Sequence, residues 1–209
     1  MRDLTRTLTG LLATALALTS LTACASKSQY DTEVARGDSL QADNAQLQAA
    51  NAELQGQYDS LQSLFSAEMG SASLDMELLR DGIEIELPSD LLFESASLQL
   101  KADGREFGTK LVEYLKGNDY LVFVTGYTDS QNPIGTLAQR YPTNWELSAA
   151  RAALAVRFMV EQGLSADRLW ATGRAANDPI ASNSTADGRA KNRRLRIVLR
   201  PKALATGSQ

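Results

Sequence analysis

The feature that most constrains this chain is a strand, a loop and a helix in succession. Tyr120 to Thr125 is an apolar run that stops at Gly126, and after a polar loop a helical pattern opens near Asn144 and continues to Phe158. A strand that ends this way delivers Thr128 and Asp129 just beyond its carboxyl end, where open α/β sheets tend to bind ligands. With about 100° per residue and Leu147 set at zero, Leu154 falls at about −20°, Phe158 at about +20° and Ala150 at about −60°, a stripe that faces a core. Arg151 falls at about +40°, inside that stripe. A guanidinium keeps its proton, so an Arg aimed at an apolar face must reach the rim or find an anion. Asp129 is the nearest plausible one. Two readings follow from the spacing: a structural ion pair between Asp129 and Arg151, or a clamp on a ligand that carries both an ammonium and a carboxylate.

The rest of the second half alternates strand and helix. Ile83 to Leu87 reads as an alternating strand ended by Pro88. Phe107, Leu111 and Leu115 recur at helical spacing before a stop at Gly117-Asn118. Thr143 and Glu146 have capping-box spacing for the Arg151 helix, and Gly163 marks its end. Leu169 to Thr172 is a short strand. Asp178 to Gly188 reads as loop, and Leu195 to Leu199 closes the chain as an alternating strand. The expected fold is α/β, a two-layer sandwich with a mixed sheet of about four strands covered on one side by two long helices.

The first half is of another kind. Arg2 and Arg6, an apolar stretch from Leu8 to Leu18, and Leu21-Thr22-Ala23-Cys24 read as a targeting segment over residues 1–23. The Leu-Thr-Ala-Cys run, which holds the sole Cys, resembles the lipobox of bacterial lipoproteins. The resemblance implies that Cys24 is acylated and becomes the first residue, and Ala25 after it implies sorting to the outer membrane. Residues 24–38 read as a lipidated linker. Leu40, Leu47, Leu54 and Leu61 then recur at sevens, with Asn44, Asn51, Tyr58 and Phe65 at the alternate core positions. Residues 39–70 are therefore expected to form a helical stalk of roughly 40 Å at 1.5 Å per residue. Leu at d and Asn at a is the pattern of a parallel coiled-coil homodimer; a solvated single-helix spacer is the alternative.

Three ordered motifs, TGYTDS at 125–130, N-x-x-L-S-x-x-R-A at 144–152 and DPIASNSTADGRAKNRR at 178–194, resemble the OmpA/MotB family of peptidoglycan-binding domains. The likeness extends over residues 80–201, followed by a tail at 202–209 expected to be disordered. It implies that Asp129 and Arg151 hold the diaminopimelate of the stem peptide. By motif, Thr128, Asn144, Leu147, Ser148 and, less directly, Arg193 join the site. Leu91-Leu92-Phe93 and the residues after it resemble the family's phenylalanine turn. Ser130 to Thr143 makes a loop of fourteen residues, longer than in many members and nearer to the flagellar-motor branch.

Composition narrows the remaining classes. With no His and one Cys, the chain lacks the commonest general base and metal ligand and forms no internal disulfide. No Ser sits in a strand-to-helix elbow, so an enzyme is not expected, nor a metal or cofactor. The net charge is −4, and the seven basic residues from Arg189 to Lys202 lack interleaved aromatics, which argues against nucleic acid. The expectation is an outer-membrane lipoprotein facing the periplasm of a Gram-negative cell, tethering the membrane to peptidoglycan. An envelope assembly scaffold or a motor-stator-like protein built on the same domain is the alternative, although a stator needs a membrane span with a carboxylate and Leu8 to Ala23 has none.

Overall fold

The computed structural model describes the backbone of residues 2–70, 74–94 and 97–202, and side chains from Lys27 onward. The expectations placed on the leader's side chains, on Cys24 and on the tail beyond Lys202 lie outside the described residues. Two compact units are present, Met1–Glu53 and Leu54–Gln209. Among the described residues, no helix is long and apolar enough to cross a membrane.

Helix α1 is assigned over Arg2–Leu64. In the first unit its heptad residues are exposed: Leu40 and Leu47 stand 54% and 58% open, and Asn44 and Asn51 are exposed too. From Leu54 the same heptad phase is covered. Leu54, Leu61 and Phe65 are buried in the domain's core, and Tyr58 packs against it. Phe65 lies on Phe107 with ring centroids 4.8 Å apart, and the Tyr58 hydroxyl donates to the Met76 carbonyl at 3.2 Å. The compact domain thus begins inside the segment expected to be stalk, and two of the four zipper leucines belong to it.

After α2 (Ser66–Gly70) come β1 (Asp75–Leu79), β2 (Gly82–Pro88), α3 (Ser89–Leu92), α4 (Ala102–Lys116) and β3 (Tyr120–Gly126). They are followed by α5 (Gly135–Arg140), α6 (Asn144–Glu161), a 3-10 turn at Ala166–Arg168, β4 (Leu169–Gly173), α7 (Ala186–Asn192) and β5 (Arg194–Pro201). The sheet runs β1-β2-β5-β3-β4, antiparallel except for the β3–β4 pair joined through α6. It has five strands where about four were expected; the extra one, β1, pairs with β2 across the two-residue turn Arg80-Asp81. The long loop contains α5, and α7 begins within the stretch read as loop.

Alternation decides the faces. Ile83, Ile85 and Leu87 of β2, Tyr120, Val122 and Val124 of β3, and Leu195, Ile197 and Leu199 of β5 are all buried in one core with Phe107, Leu111 and Leu115 of α4 and Ala152 and Met159 of α6. Each buried Leu, Ile or Val contributes about 1.5–3 kcal/mol by leaving water. The intervening residues carry charges that pair across strands, such as Arg196 with Glu84 at 3.2 Å and with Glu86 at 2.8 Å. Helix α6 opens on the expected capping box of Thr143 and Glu146. It closes on a Schellman turn: Gly163 takes φ +96°, its N–H reaches the Val160 carbonyl at 2.9 Å, and Leu164 N–H reaches Met159 at 3.0 Å. Gly117, by contrast, ends α4 with φ −84° and uses no left-handed conformation.

Candidate functional site

Two glycines set the geometry at the sheet's rim. Gly126 and Gly173 are paired at the ends of β3 and β4. A Cβ on Gly126 would stand 2.2 Å from the Ser148 carbonyl oxygen, and one on Gly173 would stand 2.6 Å from the Ala149 nitrogen. Only bare backbone lets the first turns of α6 approach the strand ends this closely, which brings Ser148 and Arg151 beside the segment that leaves β3.

That segment is held by a continuous set of bonds. Tyr127 N–H donates to the Arg194 carbonyl at 2.9 Å and Thr128 N–H to the Ala175 carbonyl at 2.8 Å. Ala175, at φ +52°, donates its own N–H to the Ser148 hydroxyl at 3.0 Å, and that hydroxyl donates to the Trp145 carbonyl at 3.1 Å. Ser148 is fully buried, so its hydroxyl supports the rim from inside. Asn144 donates from Nδ2 to the carbonyls of Asp129 and Gln131 at 3.1 and 3.0 Å. On the far side, buried Asn192 accepts N–H bonds from Ile180 and Ala181 and donates to Asn183, whose Oδ1 accepts from Ser130 N–H at 3.2 Å. Leu147 is buried outside the main core cluster.

Into this frame project four charges. Asp129 is nearly buried; its Oδ1 accepts from Gln131 N–H at 2.9 Å and its Oδ2 from Arg193 Nη1 at 2.9 Å. Arg193 reaches with Nη2 to Asp90 Oδ2 at 2.8 Å. Arg151 is 8% exposed, and its Nε and Nη1 are buried with no hydrogen-bond partner. The structural pair between Asp129 and Arg151 that spacing allowed is therefore not what the fold forms: Asp129 takes Arg193 instead. Burial pushes the Arg151 guanidinium below its ordinary value, Asp90 pulls it back, Arg193 pushes it further down and Asp129 pulls it up. The Thr128 hydroxyl is also buried without a partner.

Thr128, Asp129, Arg151 and Arg193 thus gather at one rim, with Asn144 and Ser148 holding the backbone around them, while for Leu147 the structure shows burial alone. Asp90 was missed. It lies in the first turn of α3 and is tied to the site by its own bond to Arg193 and by the Ser89 N–H bond to the Arg193 carbonyl at 2.7 Å, contacts across more than a hundred residues that no local spacing marks. Chemically, an unpartnered guanidinium beside a carboxylate is suited to a ligand group bearing both signs of charge.

Known proteins share this arrangement of elements. A model of the OmpA family matches residues 92–193. The probable lipoprotein YiaD of Escherichia coli K12 is 37% identical over 124 residues, 58% of this chain and 52% of that one. The peptidoglycan-binding protein ArfA of Mycobacterium tuberculosis H37Rv is 40% identical over 81 residues, 39% of this chain and 23% of its own. The chain therefore spans about half the length of the first relative and less of the second. Among solved structures, the cell wall anchor of the T6SS from Pseudomonas aeruginosa aligns with a TM-score of 0.63 at 32% identity, over 68% of this chain and 97% of that one. On these matches, the chain carries a domain of the OmpA family at residues 92–193.

Proposed function

We propose that the domain binds peptidoglycan without covalent chemistry. Arg151 takes the distal carboxylate of a diaminopimelate residue and Asp129 takes the ammonium on the same carbon. The observation that carries this reading is the buried Arg151 guanidinium with two N–H donors lacking acceptors. A native fold does not leave such donors unfilled without a reason, since each costs about 1–3 kcal/mol. Names among the relatives, one a peptidoglycan-binding protein and one a cell wall anchor, support the same ligand.

Sedimentation of the fragment from Ala25 onward with purified sacculi tests it. Wild type should co-sediment with diaminopimelate-type walls and poorly with Lys-type walls, which lack the distal carboxylate; equal binding to both would overturn the reading.

The tethering role rests on Cys24 as a lipid-bearing first residue, supported by its Leu-Thr-Ala context and by the lipoprotein named among the relatives. Cys24→Ser should move the protein from the outer-membrane fraction to the soluble periplasm. Self-association is the reading favoured by exposed Leu40 and Leu47 with Asn44 and Asn51 between and after them. Because Leu54 and Leu61 are occupied by the domain, the pairing surface is confined to the heptads before Leu54. Leu40→Ser with Leu47→Ser should convert a dimer of the Ala25-onward chain to a monomer in sedimentation velocity. A wild type that is monomeric at tens of micromolar would leave the helix as a spacer and favour a scaffold or motor-type role assembled with other chains.

A further inference from the structure

We infer that Asp90 is a positioning residue of the ligand site, which draws Arg193 off Asp129 when a ligand ammonium arrives. The inference rests on the peptidoglycan reading above and names how its cation half is made available.

Arg193 bridges two carboxylates with different surroundings. The Asp129 side chain is 9% exposed and the Asp90 side chain 59% exposed. A carboxylate as enclosed as Asp129 requires a cation, because taking it from water uncompensated is expensive. In the free protein Arg193 supplies it through Nη1. Asp129 Oδ1 is already engaged by the Gln131 N–H, so an incoming ammonium meets Arg193 at Oδ2. Arg193 therefore stands where the ligand's cation belongs.

It is able to yield because its other nitrogen has a second anion. Nη2 sits on Asp90 at 2.8 Å, and the Ser89 N–H bond to the Arg193 carbonyl keeps the two residues adjacent however the side chain turns. Asp90, being largely solvated, receives the guanidinium with little further desolvation. Asp129 exchanges one cation for another and is never left bare. With Asp90 gone, Arg193 has only Asp129 as a carboxylate partner and competes with the ligand for it.

The test uses the chain from Ala25 onward and a stem tripeptide ending in diaminopimelate, with affinity measured by calorimetry. Asp90→Asn should weaken binding about tenfold, Asp90→Glu should recover at least part of it, and Asp90→Asn in an Arg193→Gln background should add less than about twofold. The same tripeptide acetylated on its distal amine no longer contends for Asp129, so Asp90→Asn should leave its affinity unchanged; a merely structural role for Asp90 would lower both. Wild-type affinity in Asp90→Asn, or an equal loss with and without Arg193, overturns the inference. If wild type binds the tripeptide and Arg151→Ala abolishes it, that overturning leaves the proposed function intact. If wild type does not bind the tripeptide at all, both fall together.

Discussion

Two arginines of this domain are nearly inaccessible, and they are treated in opposite ways. Arg194 on β5 is 2% exposed and fully accommodated: Nε meets Glu86 at 3.0 Å, Nη2 donates to the Asp178 carbonyl at 3.0 Å, and the guanidinium carbon lies 3.9 Å from the centroid of the Tyr127 ring. Arg151 on α6 is 8% exposed and keeps two donors without acceptors. Burial is common to both, so burial does not separate a structural cation from a binding one. Satisfaction does. An Arg whose anion, carbonyls and aromatic face are supplied by its own fold stabilises that fold. An Arg whose partners are withheld is a cost the fold carries until something else arrives.

The largest effect expected from this contrast is on stability at Arg194. Arg194→Met breaks a buried ion pair and removes the donor to two backbone carbonyls, and it should lower unfolding free energy by about 3 kcal/mol. Urea denaturation would show a lower midpoint at unchanged slope. A loss below about 1 kcal/mol would place Arg194 in the same class as Arg151 and erase the distinction.

Arg151→Met should do the reverse. Sacculus binding should fall by about 2–5 kcal/mol, the usual result of removing one partner of an enclosed charge pair. The fold should be as stable as wild type or more so, because an uncompensated cation gives way to an apolar chain of similar length. The sign follows from linkage. A guanidinium held below its ordinary value in the folded state costs stability wherever it is charged in the unfolded one, and that covers the whole accessible pH range. A marked loss of stability in this variant would make Arg151 structural.

Much of this contrast was legible in the residues. Helical periodicity placed Arg151 on the buried stripe, and the strand end placed Asp129 beside it, because both depend on local geometry. Which anion meets which cation was not legible. Asp129 takes Arg193 and Arg193 takes Asp90, pairings that span 64 and 103 residues and follow from sheet order. Strand β1 was hidden for a different reason: it follows a break in the heptads, and its signal is the two-residue turn before Gly82. The heptads carry a phase and leave its consequence open. Positions 54, 58, 61 and 65 continue the same stripe, but with Tyr and Phe replacing Asn at the a sites, and there the stripe meets its own domain. Periodicity reports which face is apolar and is silent on what covers it.

A smaller effect sharpens the Arg151 side. Arg151→Lys keeps the charge and loses the planar fork, so it should bind diaminopimelate-type sacculi about tenfold more weakly than wild type while remaining well above Arg151→Met. Lys equal to Arg would mean that the site reads charge alone and that a bidentate carboxylate contact is not made.

The smallest effect tests how Arg194's accommodation is distributed. Its guanidinium lies over the Tyr127 ring, with Arg196 at 5.3 Å on the same ring, while Glu86 and two carbonyls hold its nitrogens. Loss of the ring alone leaves those bonds in place. Tyr127→Leu should therefore cost about 1 kcal/mol of stability, the scale of one cation–π contact, and Tyr127→Phe should cost less because the ring face remains. Neither should alter sacculus binding by more than about twofold if the Thr128–Asp129 segment stays held by backbone bonds through Arg194 and Ala175. Calorimetric affinity and urea midpoints on the same preparations separate the two quantities. A large loss of binding in Tyr127→Leu with little loss of stability would show that the ring packed under Arg194 also shapes the ligand site, and that the structural cation and the binding one are parts of a single device.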